Sequence, residues 1–133
     1  MAKTFAQMVA EARAHVPAIT ATEARARVRA RPETLLLDVQ DAADIQACGL
    51  IPGAVPVSLG MLAVRADQEL PEPFRDARLQ DRARPVIVTC GAGGQAALGA
   101  YTLHQMGFTD VAFIDGGMQA WKAADLPTEP FRA

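Results

Sequence analysis

The chain has 133 residues, half of them hydrophobic and 21% charged, a balance that fits one globular domain with its own core and excludes a disordered tail. Its 13 Lys and Arg against 15 Asp and Glu give a net charge of −2, so there is no basic surplus to draw in phosphates, and nucleic acid is not an expected partner. No stretch approaches the roughly 18 to 20 apolar residues of a membrane span, and Lys3, Glu11 and Arg13 interrupt the apolar run that a signal peptide needs, so a cytoplasmic location without membrane contact is expected.

In chain order, Phe5, Met8, Val9 and Ala12 recur at helical spacing and predict an amphipathic helix over residues 4–14, ended before Pro17. It reads as an added layer, an extension over residues 1–16 ahead of a domain at 17–133. Ile19 fits a short first strand. Thr20 with Glu23 three residues on has the form of a capping box and opens a helix over 21–29. Leu35 to Val39 is a short apolar run without alternation, as strands buried on both faces are. Residues 55–57, 85–89 and 111–114 read the same way. Between the runs lie helical segments at 42–47, 61–66, 74–79, 95–106 and 118–124. Gly107 followed by Phe108 closes the fourth of these with a left-handed cap. The charged, proline-containing stretch 67–84 reads as a surface excursion. Strands alternating with helices predict an α/β domain with a mostly parallel sheet covered on both sides.

The strand at 86–89 runs into Cys90-Gly91-Ala92-Gly93-Gly94-Gln95 and then into a helix. Ligands of parallel sheets sit beyond the carboxyl ends of the strands, where this places Cys90. A glycine-rich turn can aim successive backbone N–H groups at one point, and the helix start behind it adds positive partial charge. Such surroundings favour thiolate over thiol and would make Cys90 a nucleophile near neutral pH. The plain alternative is a small buried residue beside glycines that only turn the chain.

Leu37-Asp38-Val39, Gly49-Leu50-Ile51-Pro52-Gly53-Ala54, the Cys90 loop and Asp115-Gly116-Gly117-Met118-Gln119-Ala120-Trp121 follow in the order and spacing of a single-domain rhodanese, which the chain resembles from about residue 19 to 128. The resemblance implies a five-stranded parallel sheet with helices on both faces. It also implies a cysteine that takes sulfane sulfur as a persulfide and passes it to a thiophilic acceptor, with a small sulfur donor or a protein persulfide as partner and no cofactor or metal. Carried over by position, Cys90 is the persulfide cysteine, Gly91, Ala92, Gly93, Gly94 and Gln95 form the cradle, and Ala96 opens the helix.

The chain departs from that pattern in its cations. Many rhodaneses have arginine after the second strand and inside the loop, and serine after the loop; here stand Gln40, Gln95 and Ala96, and Leu59 replaces an arginine ahead of Gly60-Met61-Leu62. Neutral amides hold an oxyanion less firmly than a guanidinium fork. Thiosulfate is therefore expected to be a poor donor, and a catalytically weakened binding or regulatory module is the alternative reading. A cysteine phosphatase needs arginine six residues after its cysteine, where this chain has Ala96. A cysteine hydrolase needs a histidine beside the thiol, whereas His104 lies far along the following helix and His15 in the N-terminal segment; both read as surface or packing residues. Cys48 reads as semi-buried, with attack on a persulfide or pairing with Cys90 as the minor reading. Asp38 is expected to hold loop N–H groups, and Trp121 with Met118 to pack the last helix on the sheet.

Overall fold

Short apolar runs become strands because an unalternated run can bury both of its faces. The computed structural model describes residues 2–132. Its strands are β1 (Ala18–Ile19), β2 (Leu35–Asp38), β3 (Val55–Pro56), β4 (Val86–Thr89) and β5 (Val111–Ile114). They form one parallel sheet in the order β1-β5-β4-β2-β3, with every residue of β2, β4 and β5 buried.

Six helices connect and cover the strands: α1 (Phe5–His15), α2 (Ala21–Ala30), α3 (Ala42–Cys48), α4 (Leu59–Ala66), α5 (Gly94–Gln105) and α6 (Gly117–Ala123). Successive side chains along a strand point to opposite faces, so the core is divided by the sheet. Leu35, Leu37, Val86, Val88 and Phe113 pack with α1, α4 and α5 on one face. Leu36, Ile87, Ala112 and Ile114 pack with α2, α3 and α6 on the other. Each fully buried Leu, Ile or Phe contributes about 1.5–3 kcal/mol relative to exposure, which makes these two layers the main stabilising term.

Local sequence signals account for several helix ends. The Thr20 hydroxyl accepts from the Glu23 N–H at 3.1 Å. The return half of a capping box is absent there, because the Glu23 carboxylate pairs with Arg27 instead. The full box forms at Thr4 and Gln7, ahead of α1. Gly107 has φ +100, and the Phe108 N–H reaches back to the Leu103 carbonyl at 3.1 Å while its ring is buried, the expected cap of α5. Trp121 is buried, and its indole N–H donates to the Pro127 carbonyl at 2.8 Å.

Two expectations need correction. Residues 74–79 are not one helix but two single 3-10 turns, Glu72–Phe74 and Ala77–Leu79. Arg75 and Asp76 between them are extended, because the Asp76 carboxylate accepts from the Arg78 N–H and restarts the chain. The apolar face of α1 is also only half used: Ala12 is buried and Val9 partly so, but Phe5 and Met8 are 57% and 44% exposed.

Candidate active site

Strand order determines where a crevice opens. After β2 the chain enters α3 on one face of the sheet, whereas after the adjacent β4 it enters α5 on the other. The two loops part at the carboxyl ends of neighbouring strands, the position at which open parallel sheets bind ligands. Asp38 and Thr89 are in register on β2 and β4, which sets Gln40 and Gly91 side by side just beyond the sheet. A depression of about 570 Å³ opens there.

Cys90 lies on its floor, 2% exposed, and its Sγ accepts the Gly93 N–H at 3.0 Å. Gly93 is left-handed at φ +105, and a Cβ there would stand 2.9 Å from the Gly116 N, so the turn that aims this N–H at sulfur requires glycine. The loop is fixed from behind by α6. The first turn of any helix has N–H groups without partners inside the helix; here those of Met118 and Gln119 donate to the carbonyls of Cys90 and Gly91, at 2.7 and 3.0 Å. Because a trans peptide is planar, pinning those carbonyls toward α6 turns the N–H groups of Gly91 and Ala92 away from it.

The walls come from four elements. Asp44, Ala47 and Cys48 stand on α3, Met118, Gln119 and Lys122 on α6, Gly94 and Gln95 on α5, and Phe5 on α1. The Phe5 ring lies so close over Gly94 that a Cβ there would meet it at 2.7 Å. Phe5 thus reaches the site from the N-terminal extension, and nothing in the periodicity of that segment pointed to this. Lys122 was likewise missed, being one surface lysine among many charged positions; among the described residues it is the only cation lining the depression.

Most of the positions singled out from sequence converge here, with Ala96, Leu59 and Asp38 as the exceptions. Gly91, Ala92, Gly94, Gln95 and Gln40 line the depression, and Gly93 holds the sulfur. Ala96 does not line it and is fully buried in the core beneath α5. Leu59, in the first turn of α4, lies in a separate groove with Met8, Leu98 and Tyr101, so it does not support the Cys90 pocket.

Asp38 is buried and accepts from the Gln40 backbone N–H at 3.0 Å and side-chain Nε2 at 3.2 Å. Burial pushes its carboxyl above the usual value, and the two bonds from Gln40 offset part of that. It therefore holds the loop after β2 rather than the Cys90 loop, and it fixes Gln40 beside Gly91. His15 stacks on Tyr101 with ring centroids 4.8 Å apart, and His104 lies 6.3 Å from both rings; neither histidine lines the depression. Both pack α1 against α5. Cys48, half-buried, stands in the same depression as Cys90.

A parallel sheet of five strands with a thiol in the loop at its point of divergence defines an α/β protein built around one cysteine-bearing site. The family model for the Rhodanese-like domain matches residues 20–124, and the chain belongs to that family. A 3-mercaptopyruvate sulfurtransferase of Escherichia coli O157:H7 is 34% identical over 89 residues, which cover 63% of this chain and 31% of that protein. A thiosulfate sulfurtransferase of Vibrio cholerae, GlpE, is 41% identical over 46 residues, 35% of this chain and 43% of that one, so the match spans less than half the length of either curated relative. Among solved structures, a Rhodopseudomonas palustris CGA009 protein of unknown function, labelled a possible tyrosine phosphatase, superposes with TM-score 0.89 at 28% identity, covering 97% of this chain and 96% of its own. The polysulfide-sulfur transferase homodimer of Wolinella succinogenes gives 0.74 at 27% identity, with 92% and 85% covered.

Proposed function

We propose that this protein is a sulfurtransferase that carries sulfane sulfur as a persulfide on Cys90. The observation that carries the reading is the Gly93 N–H aimed at the Cys90 sulfur at 3.0 Å on the floor of an open depression. A hydrogen bond to an ionised acceptor is about twice as strong as a neutral one, so this N–H is placed to receive the negative charge that the sulfur carries during transfer. The thiolate attacks the outer sulfur of the donor, the donor's own bond to that sulfur breaks, and the leaving group departs with the electron pair. An acceptor nucleophile then attacks the outer sulfur of the Cys90 persulfide and returns Cys90 to thiolate, which the Gly93 N–H again receives.

The lining argues for a particular kind of donor. Among the described residues the lining offers amides at Gln40, Gln95 and Gln119, a carboxylate at Asp44 and a single cation, Lys122, with no guanidinium fork to hold a doubly charged donor. A small organic persulfide or a protein persulfide fits better than thiosulfate. The sulfurtransferase names of two curated relatives agree with the reaction class. Phosphoryl transfer is disfavoured because Ala96, six residues after Cys90, is buried in the core and supplies no clamp.

Mass spectrometry after incubation with a small-molecule hydropersulfide is the test, alongside cyanide-dependent thiocyanate formation. One added sulfur on the Cys90 peptide, lost in Cys90→Ser, is the expected result. No added sulfur from several donors, together with an alkylation pKa at or above about 8.5, would reduce the protein to a binding module.

A further inference from the structure

Both cysteines of the chain, distant in sequence, line the same depression: Cys90 on the floor at 2% exposure and Cys48 half-buried on the α3 wall. The Cys48 position is firmly held. Ile45 on the same helix is fully buried, Gly49 ends α3 at φ +93 with its N–H bonded to the Ile45 carbonyl, and the next residue, Leu50, exchanges two backbone bonds with Glu129. Fixed on both sides, α3 presents this thiol to the cavity as part of its wall. Of the two thiols Cys48, half-buried on the wall, is more exposed than Cys90 on the floor and is the easier one for a folded acceptor to meet.

We propose that Cys48 is a second sulfur-carrying residue, which takes the sulfane sulfur from Cys90 and presents it nearer the mouth of the depression. This rests on the sulfurtransferase reading. A persulfide lengthens the Cys90 side chain by one S–S bond of about 2 Å. The Cys48 thiol gives its proton to water, and its thiolate attacks the outer sulfur of the Cys90 persulfide. The Cys90 S–S bond breaks as the Cys48 S–S bond forms, and Cys90 leaves as a thiolate facing the Gly93 N–H. One sulfane sulfur moves between two thiols, with no net oxidation or reduction. Cys48 then hands that sulfur to a protein thiol.

The experiment loads the full chain with a small-molecule hydropersulfide, quenches with iodoacetamide over a time course, and locates the added sulfur by peptide mass spectrometry. In the wild type, sulfur is expected first on Cys90 and then on Cys48. In Cys90→Ser, whose hydroxyl can still accept the Gly93 N–H, sulfur on Cys48 falls by about tenfold or more. In Cys48→Ser, the Cys90 persulfide forms and persists longer in the presence of a protein dithiol acceptor. Sulfur that loads Cys90 but never reaches Cys48 overturns the relay and leaves the sulfurtransferase standing. Equal labelling of Cys48 in Cys90→Ser, or a Cys48–Cys90 disulfide with release of hydrogen sulfide, also overturns it. No sulfur on Cys90 in either the wild type or Cys48→Ser overturns both readings.

Discussion

The Met118 N–H donates to the Cys90 carbonyl at 2.7 Å, so the residue that carries the thiol is bonded directly to the first turn of the last helix. Gly117 makes this approach possible: a Cβ there would stand 2.3 Å from the Cys90 carbonyl oxygen, and its φ is +53. Gly117→Ala therefore costs about 1–3 kcal/mol for the backbone alone, and the clash falls on main chain that cannot step aside. The expected outcome is a lower urea midpoint together with a loss of persulfide loading at Cys90. Gly53→Ala is the control: φ is +84 but nothing lies within 4 Å of the added carbon, so stability drops while loading is kept.

Phe5 is a wall of the site that contributes little to stability. Its ring is 57% exposed yet rests on Gly94. Phe5→Ala is expected to cost about 1 kcal/mol or less, since less than half of the ring leaves the protein's cover. The alkylation rate of Cys90, measured in a Cys48→Ser background, should rise more for a bulky reagent than for iodoacetamide. Equal acceleration of both reagents, or none, would remove Phe5 from the wall.

Among the described residues, Lys122 supplies the one positive charge at the depression. Because it is exposed, its effect on an anionic donor should resemble that of a surface pair, about two- to fivefold in kcat/KM. Lys122→Gln is predicted to lower kcat/KM by that factor for an anionic donor, with the difference shrinking as salt is added. A neutral donor should not distinguish the two proteins.

Asp38 carries a pH signature. Burial raises its carboxyl above the usual 3.8, so over the window from that value upward the folded chain holds a proton that the unfolded chain has lost. Stability attributable to Asp38 is thus greatest below the window, falls as pH rises through it, and is level above. Asp67, whose carboxylate accepts the backbone N–H groups of Leu70 and Glu69, and Asp76, paired with Arg78, are shifted the other way and favour folding above their window, so the measurement must be a difference. Unfolding free energy of the wild type minus that of Asp38→Asn, from urea titrations at successive pH values, should decline with rising pH. A flat or rising difference would contradict the assignment.

Particular residues mark how far reading along the chain reaches. The apolar runs at 35–38, 86–89 and 111–114 are the central strands, since burial on both faces leaves a direct composition signal. The Gly107 cap was legible because a left-handed turn selects glycine within one segment. The 3-10 turns around Arg75 were not, because one carboxylate of Asp76 decides between a continuous helix and a restart. Leu59 was placed near the site by analogy of position, but α4 begins there and directs it into the groove beside α1 and α5.

The sequence by itself determined the α/β architecture, the strand that ends in Cys90 and the glycines that let its loop turn, all of them consequences of local backbone preference and burial pattern. Only the tertiary structure decided what surrounds the thiol. Phe5, Gln40, Cys48 and Lys122 come from four separate segments, and they meet because β2 and β4 are neighbours whose chains leave toward opposite faces of the sheet. Contacts between distant segments depend on strand order and helix placement, which no short stretch of residues encodes.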